Sequence, residues 1–324
     1  METPATIKVL RNNPKYLVLY HCPCTDGALG ALFAYLSLGK DETIYRGFNT
    51  RSTDKEHEDL LNFIQLGSFK TIYLIDYCGP NNFITHILDR DPIVNVVAID
   101  HHKTAIEFYE NSPVKKEKRA LLYFDINKSG ATLSLQFFKP KISDEFYNIT
   151  RYVEDNDLWK HILPNSKEFS AGFMSLNLVL DYQINNKIFE QIMGLKCQDL
   201  INLGIVETKV KNEKIKVILE KKFIVTFKDG TQCYGVEFFD HTLTSEAGSK
   251  LATLSKNVGF APLGAICARN KDNKMAISLR SVDDYDSTEI AKLYLGGGHK
   301  GASVFSVPIE DFVSMKEEIK ITHI

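Results

Sequence analysis

No stretch of this chain approaches the roughly 18 consecutive apolar residues that a membrane-spanning helix requires. That excludes a bundle of membrane helices and leaves no membrane partner to expect. Charge of one sign is also missing: the 324 residues carry a formal net charge of −2. Nothing in the overall balance therefore pulls the chain toward nucleic acid or an anionic surface. Any polyanion would be held by a local patch or through metal ions. Cysteine is sparse, with six residues and no Cys-x-x-Cys, which removes support for a zinc finger or a thioredoxin-type dithiol. The first residues, Met1-Glu2-Thr3-Pro4, lack a charged-then-apolar leader pattern, and Lys8, Arg11 and Lys15 add only a faint basic flavour. Reduced thiols and a cytoplasmic location are the expectation.

What remains is an ordinary globular composition, 44% hydrophobic and 25% charged, long enough for about two domains. From Tyr16 to about Ile126 strand and helix patterns alternate, which predicts repeated βαβ units and a parallel sheet. Lys128 to Thr132 opens a further helix. Another runs from Asp144 to Asp155, and a lysine-rich helical connector is expected from about Asp181 to Lys222. Beyond it, Phe223 to Phe227 and Gln232 to Phe239 alternate around Asp229-Gly230, a hairpin signal. Strands at Gly259 to Ala268 and Met275 to Ser281 flank a Lys271-Asp272-Asn273 turn. A helix capped by Asp286 and a terminal helix from Ile309 complete an α+β pattern. The fold class is thus α/β: a parallel-sheet domain over 10–200, a connector over 201–222, and a smaller α+β domain over 223–320.

The stretch around which the chain is organised is Val96 to His102, an apolar run ending in Asp100-His101-His102. Such a run suits a strand buried on both faces of a parallel sheet. Adjacent histidines alone could be an accident of a surface loop. Two other strands, however, end in the same manner: Tyr16 to Tyr20 runs into His21, Cys24 and Asp26, and Thr71 to Ile75 runs into Asp76. In open α/β sheets ligands bind at the carboxyl ends of the strands, and chance hardly explains three such endings. His21, Cys24, Asp26, Asp76, His101 and Asp155 form a mixed nitrogen, oxygen and sulfur set. That set suits manganese, iron or zinc better than calcium, and six ligands with one shared carboxylate describe a two-metal site. Asp100 is expected to orient a neighbouring histidine, and His102 to hydrogen-bond a phosphoryl oxygen.

Four further features add to this site or compete with it. Ser129-Gly130 at a helix start suits an anion or an ordinary Ser129 cap. Asp155 and Asp157, at a helix C-terminus, oppose the dipole and need compensation that a cation would supply. The charged loop Pro113 to Arg119 is expected on a solvated surface near the site edge, within reach of phosphate. Gly296-Gly297-Gly298-His299 could form an anion-binding concavity of consecutive N–H groups, with Arg280 as a clamp beside it.

These stretches, in their order, resemble the DHH phosphoesterase superfamily, in the branch with a DHH-associated C-terminal domain. The resemblance rests on His21-Cys22-Pro23-Cys24-Thr25-Asp26-Gly27, Asp76, Asp100-His101-His102, Ser129-Gly130-Ala131, Glu154-Asp155-Asn156-Asp157-Leu158-Trp159, Ser278-Leu279-Arg280-Ser281 and Gly296-Gly297-Gly298-His299. It implies a two-domain cleft enzyme using two divalent ions, often manganese. Asp76 would bridge the ions and His102 would meet the scissile phosphate, while Arg280, Ser281, Gly296, Gly297, Gly298 and His299 would hold the rest of the substrate. The implied substrates are short oligonucleotides or linear and cyclic dinucleotides. One departure stands out: the family's Asp-x-Asp is here Cys24-Thr25-Asp26, and a thiolate favours zinc or iron over manganese. A pyrophosphatase-type hydrolase and a weakly catalytic nucleotide-binding protein are the rival readings, and a homodimer is left open.

Overall fold

The computed structural model describes residues 14–49, 52–67, 69–80, 82–270 and 272–319. Lys8, Arg11 and Lys271 lie outside them. The chain divides into two compact units after Glu207.

In the first unit, β1 (Tyr16–His21), α1 (Thr25–Leu38), β2 (Thr43–Phe48), α2 (Asp54–Gly67), β3 (Thr71–Ile75), α3 (Phe83–Arg90), β4 (Asn95–Asp100), α4 (Lys103–Glu110) and β5 (Ala120–Phe124) alternate along the chain. The sheet is wholly parallel, in the order β2-β1-β3-β4-β5. The α/β expectation holds. Side chains alternate across it because successive Cβ atoms point to opposite faces. Leu17, Leu19, Ile72, Leu74, Val96 and Ala98 pack against α2, α3 and α4. Val18, Tyr20 and Ile75 pack on the other face, against α1 and the helices that follow β5. Those helices are α5 (Gly130–Phe138), α6 (Asp144–Asp157), α7 (Ser166–Ser175), α8 (Ile188–Met193) and α9 (Cys197–Glu220).

Two expectations change here. The connector from Asp181 is not one helix: Asp181 accepts from the Gln183 amide at 2.9 Å in a turn, and α8 and α9 follow separately. The charged 113–119 loop lies at the edge opposite the Asp-His-His triplet. It leads into the amino end of β5, where the Arg119 carbonyl accepts from the Val96 amide at 2.8 Å and the guanidinium donates to the Leu88 and Asp91 carbonyls. A helix crossover in a parallel sheet returns the chain to the amino edge before the next strand begins, which the charge pattern does not reveal.

The second unit begins at Thr208, within α9. Its sheet combines β6 (Phe223–Thr226), β7 (Gln232–Glu237), β8 (Leu263–Arg269), β9 (Met275–Ser281), β10 (Gly297–His299), β11 (Ala302–Val307) and β12 (Lys316–Glu317), in the order β10-β11-β9-β8-β7-β6-β12. Only β7 and β8 pair in parallel. The connection between them is α10 (His241–Asn257), whose Leu243, Ala247 and Leu251 cover Val236 and Ile266. The opposite face is closed by α11 (Ser287–Lys292) and α12 (Ile309–Met315), through Ile290, Ala291 and Phe312.

Candidate metal centre

Register places the centre. Tyr20 lies opposite Ile75, and Ile75 opposite Ile99, so His21, Asp76 and Asp100 emerge in one row at the carboxyl edge. Because β1 lies between β2 and β3, the row crosses the point where strand order reverses. An open α/β sheet leaves a crevice there. Asp76 has a left-handed backbone, φ 54°, and its amide donates to the Ile99 carbonyl at 2.8 Å. A non-glycine residue held in that region stores strain that the surrounding packing maintains.

The Asp76 carboxylate, 1% exposed, stands at the middle of the cluster. Its Oδ2 is 3.2 Å from His21 Nδ1, and its Oδ1 is 3.2 Å from His101 Nε2 and 3.6 Å from His102 Nδ1. His101 Nε2 also lies 3.3 Å from Asp157 Oδ2 and 3.9 Å from Asp26 Oδ2. Three ligand trios result, His21–Cys24–Asp76, Asp76–His101–His102 and Asp26–His101–Asp157, each with donor atoms within 4.8 Å of one another.

Asp26 is held by the start of α5. Its two oxygens accept the Gly130 amide at 2.6 Å and the Ala131 amide at 3.0 Å. The free N–H groups that the Ser-Gly pattern announces are thus filled by a carboxylate of the chain itself, while Ser129 Oγ caps the Thr132 amide at 3.2 Å. Gly130 is required by closeness: a Cβ there would stand 2.7 Å from Asp76 Cβ.

Asp155 is not brought to the cluster. Its Oδ1 accepts the Ile162 amide at 3.0 Å and its Oδ2 the Leu163 amide at 3.2 Å, so backbone donors supply the compensation expected from a cation. Asp157, two residues on, takes the place in the cluster that the candidate ligand set gave to Asp155. The signal was present in the paired carboxylates, but which of the two turns inward depends on the loop after α6.

Asp100 accepts the amides of His101 at 2.7 Å and His102 at 3.0 Å, and its Oδ1 lies 2.7 Å from His102 Nδ1. The His102 ring is fixed by one nitrogen while the side chain remains 46% exposed. The hydrogen bond to Asp100 raises His102 to about 9 against the opposing effect of burial.

The remaining electrostatics are those of a site short of positive charge. Burial, then Asp76 and Asp157, push Asp26 well above the usual carboxylate range. Burial and Asp76 also raise Asp157. Burial beside Asp76 and Asp26 drives the Cys24 thiol up. Burial would raise Asp76 as well, but the nearby His101, His21 and His102 rings outweigh it and hold this carboxylate at about 2. Among the described residues, Asp76 Oδ1, His101 Nε2 and Asp157 Oδ2 are buried without a hydrogen-bond partner of good geometry. Buried polar atoms rarely stay unpaired, and a divalent cation satisfies all three. The residues fit metal.

In the second unit Arg280 donates to the Leu279 carbonyl at 2.8 Å and to Ser245 Oγ at 3.2 Å. Ser281 Oγ is engaged with the backbone carbonyls of Tyr285 and Lys300, at 2.7 and 3.1 Å. The glycine run does not form the expected concavity. Gly297, Gly298 and His299 pair with Val304, Ser303 and Ala302 as the edge strand β10, and the Gly296 amide donates back to the Ala291 carbonyl at 2.9 Å. Gly298, at φ 147°, uses a backbone conformation that side chains rarely adopt.

No protein-family model matches the chain. An uncharacterised protein of Acanthamoeba polyphaga mimivirus is 26% identical over 333 residues, covering 94% of this chain and 70% of its own length. The oligoribonuclease NrnB of Bacillus subtilis is 26% identical over 227 residues, covering 66% of this chain. The chain spans about half, 53%, of that relative's length. Among solved structures, the DHH domain of a protein assigned to a family of ribosomal proteins superposes with a TM-score of 0.52 at 14% identity, over 97% of this chain and 90% of that one. The pGpG-specific phosphodiesterase PggH of Vibrio cholerae superposes with a TM-score of 0.50 at 12% identity, over 91% of this chain and 94% of that one. This chain therefore shares the fold of that DHH domain, and its own Asp100-His101-His102 triplet begins at the carboxyl end of β4.

Proposed function

We propose that this chain is a metal-dependent phosphoesterase that hydrolyses phosphodiester bonds of short oligonucleotides or of linear or cyclic dinucleotides. The observation that carries the proposal is the cluster at the strand ends. His21, Cys24, Asp26, Asp76, His101 and Asp157 converge there, and three of their buried polar atoms lack a partner among the described residues. In this reading Asp76 serves the His21–Cys24 side through Oδ2 and the His101 side through Oδ1, and manganese, zinc or iron are the candidate ions. Divalent ions at such a site neutralise phosphoryl charge and make a water molecule nucleophilic near neutral pH. His102, protonated and fixed by Asp100, holds a proton for a phosphoryl or leaving oxygen and leaves metal binding to its neighbours. The near-zero net charge favours a short substrate, since long strands are gripped by extended basic grooves. Support for the substrate class comes from the NrnB relative, named an oligoribonuclease, and the PggH neighbour, named a phosphodiesterase. In the second unit Arg280, with Ser281 and the 296–299 strand, is proposed to hold the remainder of the substrate.

The test is incubation of the purified protein with a 5′-phosphorylated diribonucleotide under manganese, zinc or iron, beside Asp76→Ala. Mononucleotide formed only with Asp76 intact supports the proposal. Absence of turnover with every ion, or turnover of pyrophosphate alone, overturns it.

A further inference from the structure

Resting on the reading of this cluster as a two-ion centre, we infer that its halves differ in chemical hardness. The His21–Cys24–Asp76 half takes a thiophilic ion such as zinc, iron(II) or cobalt(II), and the Asp26–His101–Asp157 half takes a hard ion such as manganese or magnesium.

The geometry separates the halves. Asp76 turns Oδ2 toward His21 and Oδ1 toward His101, each at 3.2 Å. It contributes one oxygen to each side. His102 joins Asp76 and His101 in a third trio but is held by Asp100, and the other donors fall to one side or the other. The first half has imidazole and thiol, and the second has imidazole with two carboxylates. Soft thiolate selects zinc and iron, whereas a carboxylate-rich set suits manganese and magnesium.

Cys24 is also placed as a ligand and not as a structural residue. It stands at the N-cap of α1 with extended backbone, φ −145° and ψ 133°, yet its side chain makes no capping hydrogen bond. Serine, threonine, asparagine or aspartate would cap there. A cysteine forgoes that and brings sulfur within 4.8 Å of the His21 and Asp76 donors. The competing role for Cys24 is as wall material. It lines a cavity of about 120 Å3 with Asp26, Asp157, Val153, Phe169 and Phe173, where a small side chain without a donor would fill the same space. Only the ligand role predicts a sulfur–metal signal.

Cobalt(II) reads the difference, because a bound thiolate adds an intense near-ultraviolet charge-transfer band that oxygen and nitrogen ligands lack. Metal-free, reduced protein is titrated with cobalt and followed by absorbance, with native mass spectrometry for stoichiometry. Manganese is then added to protein preloaded with one equivalent of zinc and followed by electron paramagnetic resonance. The expected result is a band that saturates at the first equivalent while a second ion binds without adding to it. Zinc-loaded protein should accept one manganese. Cys24→Ser and Cys24→Asp should lose the band while still binding ions. Two bound cobalt ions without a band overturn the inference and leave the phosphoesterase reading intact. A band that survives in Cys24→Ser, or that grows through the second equivalent, also overturns it. If the protein binds neither cobalt nor manganese, the metal-centre reading falls and the inference falls with it.

Discussion

Gly130→Ala offers a sharp test of how the centre is built, because helix propensity and close packing predict opposite signs. Gly130 opens α5 with helical backbone, so alanine by propensity alone would stabilise by up to about 1 kcal/mol. The structure opposes this. The new methyl would lie 2.7 Å from Asp76 Cβ and 2.9 Å from Asp26 Oδ2, and ordinary contact begins at 3.4 Å. The atom it meets first is on the rigid stem of Asp76, which is buried and directly follows β3, so α5 and the end of β3 must part by about 0.7 Å. Overpacking of this kind costs about 1–3 kcal/mol. It also pulls the Gly130 and Ala131 amides from Asp26 while displacing Asp76, although functional constellations tolerate only about 0.5 Å. The expected outcome is a lower melting temperature in chelator and manganese affinity weakened by about 10–100-fold, the range for disturbing groups that position ligands. Differential scanning fluorimetry and calorimetric titration measure the two effects. A melting temperature at or above that of the parent, with unchanged manganese affinity, would refute the packing argument.

The neighbouring carboxylates should separate cleanly. Asp157→Asn is expected to weaken metal binding while raising the melting temperature in chelator, since burial and Asp76 make the charged form costly. Asp155→Asn should cost about 1–3 kcal/mol of stability, because the Ile162 and Leu163 amides lose a carboxylate acceptor; equal behaviour of the two variants would contradict their assignment. His102→Gln should lower kcat by about 10²–10⁴-fold with metal affinity, read by calorimetry, unchanged. In the second unit, Lys211 and Lys250 outweigh burial and hold Glu246 below its usual range. Its stabilisation is therefore present above the unfolded carboxylate pKa and lost as pH falls through the lower folded value. Glu246→Gln should reduce stability by no more than about 1 kcal/mol at pH 7, since the group is partly solvated. That difference should vanish in acid melts.

Much of the fold was legible because period-two and helical patterns survive burial. Val96 to Ile99 is apolar on both faces and lies in the sheet between β3 and β5, as a doubly buried run predicts. The Asp229-Gly230 hairpin joins β6 to β7 as read. Less legible were segments whose form depends on partners distant in sequence. Nothing local distinguishes α7, which the pattern missed, from the irregular stretch ahead of α8. That stretch is fastened by Tyr20, whose hydroxyl donates to the Leu180 carbonyl and accepts from the Tyr182 amide, both at 2.8 Å. The glycine run misled for a related reason. Its conformational freedom is real, but here it serves an edge strand closely apposed to β11.

The site shows the same division at finer scale. Strand endings identified His21, Asp76 and His101 because register follows from apolar runs of similar length, and register alone sets them in one row. Helix ends were ambiguous because a terminus states a charge requirement without naming what meets it. At the start of α5 the free amides call for an anion, and Asp26, 104 residues earlier in sequence, supplies it. At the end of α6 the carboxylates call for a positive partner. Asp155 finds two backbone amides, whereas Asp157 finds His101 and an unpartnered oxygen. Dipole arguments made both acids candidates on equal terms. The loop that follows uses its own N–H groups for one of them, and the other turns an oxygen toward His101 in the cluster.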